Sequence, residues 1–142
     1  MKTILITHQE MIQIKKSIVD QIMTHAQKIF PIEACGYLAG IGHTITQSYE
    51  LRNTDNSVEH FSFDPAEQFA VVREARNTGL EILANFHSHP YTPARPSKED
   101  IRMANDPGIL YFIISLAEKA PQIKAFKIQH SIVEEVIIEL LN

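Results

Sequence analysis

The 142-residue chain has a single cysteine, Cys35, and can therefore form no internal disulfide. That scarcity fits a reducing compartment, and a cytoplasmic location is expected. It also excludes the zinc site of the nucleobase deaminases, which needs a Pro-Cys-x-x-Cys motif. Basic residues are few: 13 Lys and Arg against 17 Asp and Glu leave a net charge of −4. Without a basic cluster, no nucleic-acid partner and no nuclease activity are expected. Long apolar runs are missing as well, and none approaches the roughly 20 residues of a membrane span. Ile4-Leu5-Ile6, behind Lys2, is too short for a signal-peptide core, and the polar stretch Thr7-His8-Gln9-Glu10 follows at once. Nor are there repeats, low-complexity tracts or a dividing linker. One domain over residues 1–142, with one core and ordinary soluble composition, is the expectation.

Strand and helix patterns alternate along this chain. Residues 4–14 offer short extended segments, expected at a sheet edge. Ile18, Ile22, Ala26 and Ile29 recur at helical spacing over residues 16–30, and Pro31 ends that helix. Residues 35–41 and 44–51 flank Gly42-His43 and read as a hairpin. Residues 52–59 are polar and form a loop, and Phe61-Ser62-Phe63 alternates as a short strand. Asp64 caps a helix that Pro65 opens and Gly79 stops. Residues 80–86, 110–116 and 123–128 read as strands. Residues 133–141 fit either period, and their β-branched content favours strand.

The most informative residues follow the strand over 80–86. Asn85-Phe86-His87-Ser88-His89-Pro90 places two histidines one residue apart, so they share a face of the strand. Two such imidazoles can reach one Zn²⁺ at about 2.0–2.1 Å, and a carboxylate from Asp100 can make a third ligand. A fourth position would be left for water, whose pKa on zinc falls towards about 7. The plainer alternative stays open for part of this set. Ser97 and Asp100 behind Pro96 also form a helix capping box. Glu33, in Pro31-Ile32-Glu33-Ala34-Cys35-Gly36, could shuttle a proton if partly desolvated, yet taken alone it reads as a solvated carboxylate at a strand edge. Cys35 could be a nucleophile, ligand or redox switch, but reads most simply as a small buried residue. His8, His25, His43, His60 and His130 are scattered and read as surface or hydrogen-bonded side chains.

Taken together, Glu33, His87-Ser88-His89, Ser97 and Asp100 resemble the JAMM (MPN+) metallopeptidase signature. In that family a distant glutamate precedes His-x-His, seven residues, Ser, two residues and Asp. Residues 90–96 supply the seven here. The block around Pro31, Glu33, Cys35 and Gly36 is similar too, and the resemblance runs from about Met11 to the C-terminus. It implies an α/β (α+β) fold, a central mixed β-sheet flanked by helices, similar to the cytidine-deaminase-like architecture. It implies one catalytic Zn²⁺ held by His87, His89 and Asp100. Glu33 is implied as the proton shuttle and Ser97 as the oxyanion donor. The compact length resembles the prokaryotic, Mec+-like branch. The implied partner is a ubiquitin-like or sulfur-carrier protein, cleaved after a C-terminal Gly-Gly tail. The alternative is a non-catalytic MPN scaffold that only binds such a partner.

Overall fold

The computed structural model describes residues 10–142. The expectations for residues 2–9 lie outside the described residues.

Met11–Lys15 (β1) runs directly into the helix Lys16–Ile29 (α1). Ile18, Val19, Ile22 and Ala26 recur every three or four residues, so one face of α1 is buried against β1 and the following hairpin. That hairpin joins Cys35–Ile41 (β2) to Thr44–Leu51 (β3). Gly42, at φ +63°, makes its turn without the strain a side chain would add. Pro65–Asn77 (α2) follows a long loop. Asp64 caps it by accepting from the Glu67 amide. Glu81–His89 (β4) then leads to the short helix Lys98–Met103 (α3). Leu110–Ser115 (β5), Gln122–Gln129 (β6) and Ile132–Leu141 (β7) complete the chain.

The strands form one mixed sheet in the order β1-β3-β2-β4-β5-β6-β7, closed by β7 against β1. β4 lies between antiparallel β2 and parallel β5. Ile14, Ile22, Leu38, Ile45, Phe86 and Phe112 are fully buried in one cluster that joins the sheet to α1. Each such side chain contributes on the order of 1.5–3 kcal/mol by leaving water. Mixed sheet and flanking helices agree with the expected fold class, and the C-terminal segment is the strand that its β-branched content favours. Among the described residues, no helix is long and apolar enough to cross a membrane.

Two expectations are corrected. β1 is no edge strand: it pairs with β3 on one side and β7 on the other, both parallel. Phe61-Ser62-Phe63 forms no strand. Its backbone is held instead by Thr54 N donating to Ser62 O and by Ser62 N donating to Asn53 Oδ1. The alternating phenylalanines pack as aromatics, Phe63 on Tyr37 and Phe61 on Phe63, with no partner strand involved.

Candidate active site

β4 ends at the candidate site. His87 pairs across the sheet with Cys35 and Ile113, and His89 pairs with Ser115. Alternation along the strand puts both rings on one side, with centroids 4.9 Å apart. Both side chains are buried. The chain then turns back through a tethered loop. His89 Nδ1 lies 2.9 Å from Pro93 O, and Ser115 Oγ donates to Thr92 O at 2.6 Å. This return places α3, and α3 places Asp100. Ser97 Oγ accepts from Asp100 N at 3.0 Å, while Ser97 N donates to Asp100 Oδ2 at 2.9 Å. The capping box expected for these two residues is therefore present. It also aims Asp100, since the same Oδ2 lies 3.1 Å from His87 Nε2 and 3.0 Å from His89 Nε2.

The two Nε2 atoms are themselves 3.1 Å apart, so three ligand-type atoms form a nearly equilateral triangle. Tetrahedral ligands on a zinc with bonds of about 2.0–2.1 Å would stand about 3.3 Å from one another. Two imidazole nitrogens and one carboxylate oxygen at this spacing fit such an ion. His89 Nδ1 donates its proton to the Pro93 carbonyl, which orients the ring with Nε2 towards the triangle. Burial pushes the His87 pKa down despite the pull of Asp100, favouring the neutral ring. Burial lowers the His89 pKa less than Asp100 and Pro93 raise it. Burial raises the Asp100 pKa, but its bonds to both histidines and to Ser97 N hold the carboxyl far below the usual range. On its other side the His87 ring is steadied by stacking: Phe61 lies on it at 4.8 Å with 27° between planes, and Nδ1 is buried without a hydrogen-bond partner.

Glu33 stands two residues before Cys35, the partner of His87 across the sheet, and feels the charges of His89 and Asp100. It is only 3% exposed, and its Oε1 is buried with no hydrogen bond. Burial, the largest influence, pushes its pKa up to about 8; His89 opposes this while Asp100, Glu99 and Glu59 add to it. A carboxyl titrating near neutrality suits proton transfer in both directions. The solvated strand-edge reading of Glu33 does not describe this side chain. Its backbone is pinned on both sides. Glu33 N donates to Ser57 O at 2.9 Å, and Asn53 Nδ2 donates to Glu33 O at 3.1 Å. Beside it, Ala34 N donates to Ser88 Oγ at 2.7 Å, and Ser88 N returns a bond to Ala34 O at 2.9 Å.

Ser88, Asn53 and Phe61 were not identifiable from the sequence as parts of this centre. A hydroxyl between two histidines was the one available signal for Ser88. Asn53 showed only as one of several asparagines in a polar loop. Cys35 is fully buried, donates to Leu51 O at 3.6 Å, and has its pKa pushed by burial up to about 12. Both favour the neutral thiol, the form that is a poor nucleophile. Of the scattered histidines, none joins the triangle among the described residues; His60 pairs with Asp55 at 3.0 Å and His25 with Glu50 at 3.4 Å.

A mixed sheet that delivers two histidines and an aspartate beside a buried glutamate defines a metal-type hydrolase centre. The family of prokaryotic homologs of the JAB domain matches residues 15–129, and the chain belongs to it. It is a hydrolase of the JAMM class. The chain is 27% identical to the CysO-cysteine peptidase of Mycobacterium tuberculosis over 132 residues, 91% of this chain and 90% of that protein. It is 30% identical to the desampylase of Haloferax volcanii over 103 residues, 68% of this chain and 74% of that one. A solution structure from Desulfitobacterium hafniense superposes with a TM-score of 0.85 at 46% identity, covering 92% of this chain and 93% of that one. The JAB1/MPN domain protein of Archaeoglobus fulgidus shares the fold, with a TM-score of 0.64 at 20% identity, over 92% and 97% of the two chains.

Proposed function

We propose that this hydrolase is a zinc-dependent metallopeptidase that cleaves the amide bond after the C-terminal Gly-Gly tail of a ubiquitin-like or sulfur-carrier protein. The observation that carries this reading is the triangle of His87, His89 and Asp100 beside a buried, unpaired Glu33. The peptidase and desampylase relatives support it.

His87 Nε2, His89 Nε2 and Asp100 Oδ2 would hold the ion. When bound, zinc supplies Lewis acidity to the attacking water and the scissile carbonyl. The remaining work falls to the chain. Glu33 accepts the proton of the attacking water and passes it to the leaving nitrogen. Its raised pKa suits both halves of that task, and its empty Oε1 is free to receive the proton. Ser97 Oγ accepts from Asp100 N, so its own proton remains free to donate to the developing oxyanion. Capping and oxyanion donation are therefore compatible in one hydroxyl. No covalent intermediate is required, and the neutral Cys35 takes no part. The buried single thiol also suits the reducing cytoplasm, where we place the protein. The scaffold alternative leaves a buried, unpaired Glu33 without a purpose.

The test uses a ubiquitin-like carrier extended beyond Gly-Gly. Zinc-loaded protein is expected to cut after the second glycine, and water labelled with heavy oxygen should mark the new carboxylate. Activity that survives complete chelation would overturn the metal reading. A trapped Cys35 adduct would overturn the mechanism.

A further inference from the structure

Residues 52–64, between β3 and α2, form neither helix nor strand. Backbone groups of this loop are gathered instead on one side chain. Asn53 is 4% exposed, and both ends of its carboxamide are used. Nδ2 donates to Glu33 O at 3.1 Å and to His60 O at 3.0 Å, with Ser57 O a third acceptor at 3.5 Å. Oδ1 accepts from Asp55 N at 3.0 Å and from Ser62 N at 3.3 Å. The carboxamide's donors and acceptor positions are thereby filled. Its partners lie at two places that matter to the centre. One is Glu33 itself. Its Oε1 takes no hydrogen bond, so nothing at that oxygen fixes where the carboxyl stands, and the placement falls to the backbone. Glu33 N donates to Ser57 O at 2.9 Å, so this backbone is tied to the loop at both ends. The other is Phe61, whose ring lies on His87 at 4.8 Å. Asn53 grips the residues on either side of it, His60 through its carbonyl and Ser62 through its amide.

We propose that Asn53 is a positioning residue for the hydrolysis: its one carboxamide sets the backbones of Glu33 and Phe61, and so fixes the proton shuttle relative to the ring that covers His87. The inference rests on the peptidase reading above. Asn53 touches no reacting atom. It acts because proton transfer demands a reach of about 2.6–3.2 Å between heavy atoms. A displacement of about 1 Å at such a group can cost about 10²-fold in rate. A second set of bonds closes the same loop and leaves Glu33 out. Asp55 Oδ2 lies 3.0 Å from His60 Nδ1 and accepts from Ser62 Oγ at 2.7 Å, both in exposed positions. The two sets therefore separate the holding of the loop from the holding of Glu33.

The experiment uses the zinc-loaded protein and a ubiquitin-like carrier extended beyond Gly-Gly. Asn53→Ser is the discriminating variant. A serine hydroxyl can still accept from Asp55 N two residues on, which preserves the local turn, but it is too short to reach Glu33 O. Its kcat is expected to fall about 10²-fold, with little change in KM and with zinc content unchanged. Asn53→Ala, which loses the turn as well, should lose at least as much. Asp55→Ala loosens the loop alone and should retain most of the turnover. The same Asn53→Ser change is then made beside Glu33→Gln. There it should cost almost nothing further, because the group it positions no longer transfers a proton. Equal losses in both backgrounds, an Asp55→Ala loss as large as that of Asn53→Ser, or full turnover in Asn53→Ser overturns the positioning role and leaves the peptidase reading standing. So does an Asn53→Ser chain that circular dichroism shows unfolded, since Asn53 would then serve the fold. A wild-type protein that cleaves no such carrier overturns both.

Discussion

Glu33 is a carboxyl that folding removes from water without giving it a partner. In the metal-free protein its pKa is raised from 4.5 to about 8. An unfolded chain releases this proton above about 4.5, whereas the folded chain keeps it up to about 8. Folding therefore takes up a proton across that window, and the contribution of Glu33 to stability is full below pH 4.5 and lost as pH rises towards 8. Glu33→Gln has no such dependence. Its Tm in the metal-free state should exceed that of the wild type by a margin that grows from pH 5 to pH 8, and thermal melts across that range measure it; a constant margin would refute the buried-acid account. The same variant should keep its zinc, read by metal analysis, while turnover falls about 10²–10⁴-fold. Ser97 separates two roles in one hydroxyl. Ser97→Ala should lose about 1 kcal/mol as a missing cap, measured by denaturant unfolding. If Ser97 also serves the oxyanion, the rate falls a further 10²–10³-fold or so. Unchanged turnover in a slightly less stable protein would leave Ser97 as a cap alone.

At the scale of elements, the site depends on β2 and β4 lying in close register. Gly36 sits where they meet. A Cβ there would fall 2.1 Å from Tyr49 O and 2.5 Å from the Phe86 ring, both fixed in the sheet. Gly36→Ala is thus expected to cost at least about 3 kcal/mol, or to prevent folding, with circular dichroism and denaturant melts as the measurement. Much of this level was legible in the sequence. The 3.6-residue period of α1, the turn at Gly42, the Asp64-Pro65 start of α2 and the His-x-His face of β4 are local signals, and local signals survive in a linear text. Phe61-Ser62-Phe63 misled because strand alternation and paired aromatic packing look alike over three residues. Only a partner strand distinguishes them, and here Asn53 supplies the hydrogen bonds that a partner would have made. Ser88 and Asn53 escaped for a related reason. Each acts on Glu33 or its neighbour across a distance in sequence that no periodicity reports.

For the whole molecule, closure of the sheet is the least local fact. β1 meets β7 with Met11 opposite Ile137, and nothing in either segment names the other. The candidate centre was easier to find than the sheet that carries it, because ligand chemistry restricts residue types while barrel closure restricts only shape and hydrophobicity. The centre in turn ties distant parts of the chain: His87 and His89 end β4, Asp100 begins α3, and Glu33 precedes β2. An ion held by this triangle binds the folded state and finds no such arrangement in the unfolded chain. Zinc at a hundred times its dissociation constant should then stabilise the protein by about 2.7 kcal/mol. A chelator should lower Tm accordingly, and restored zinc should bring it back. His87→Ala removes one corner of the triangle, so its Tm should barely respond to zinc. Glu33→Gln leaves all three ligands in place, so its Tm should rise with zinc as the wild type does. A melting temperature indifferent to zinc in the wild type, or a His87→Ala protein that responds as strongly, would place the ion somewhere other than these three residues.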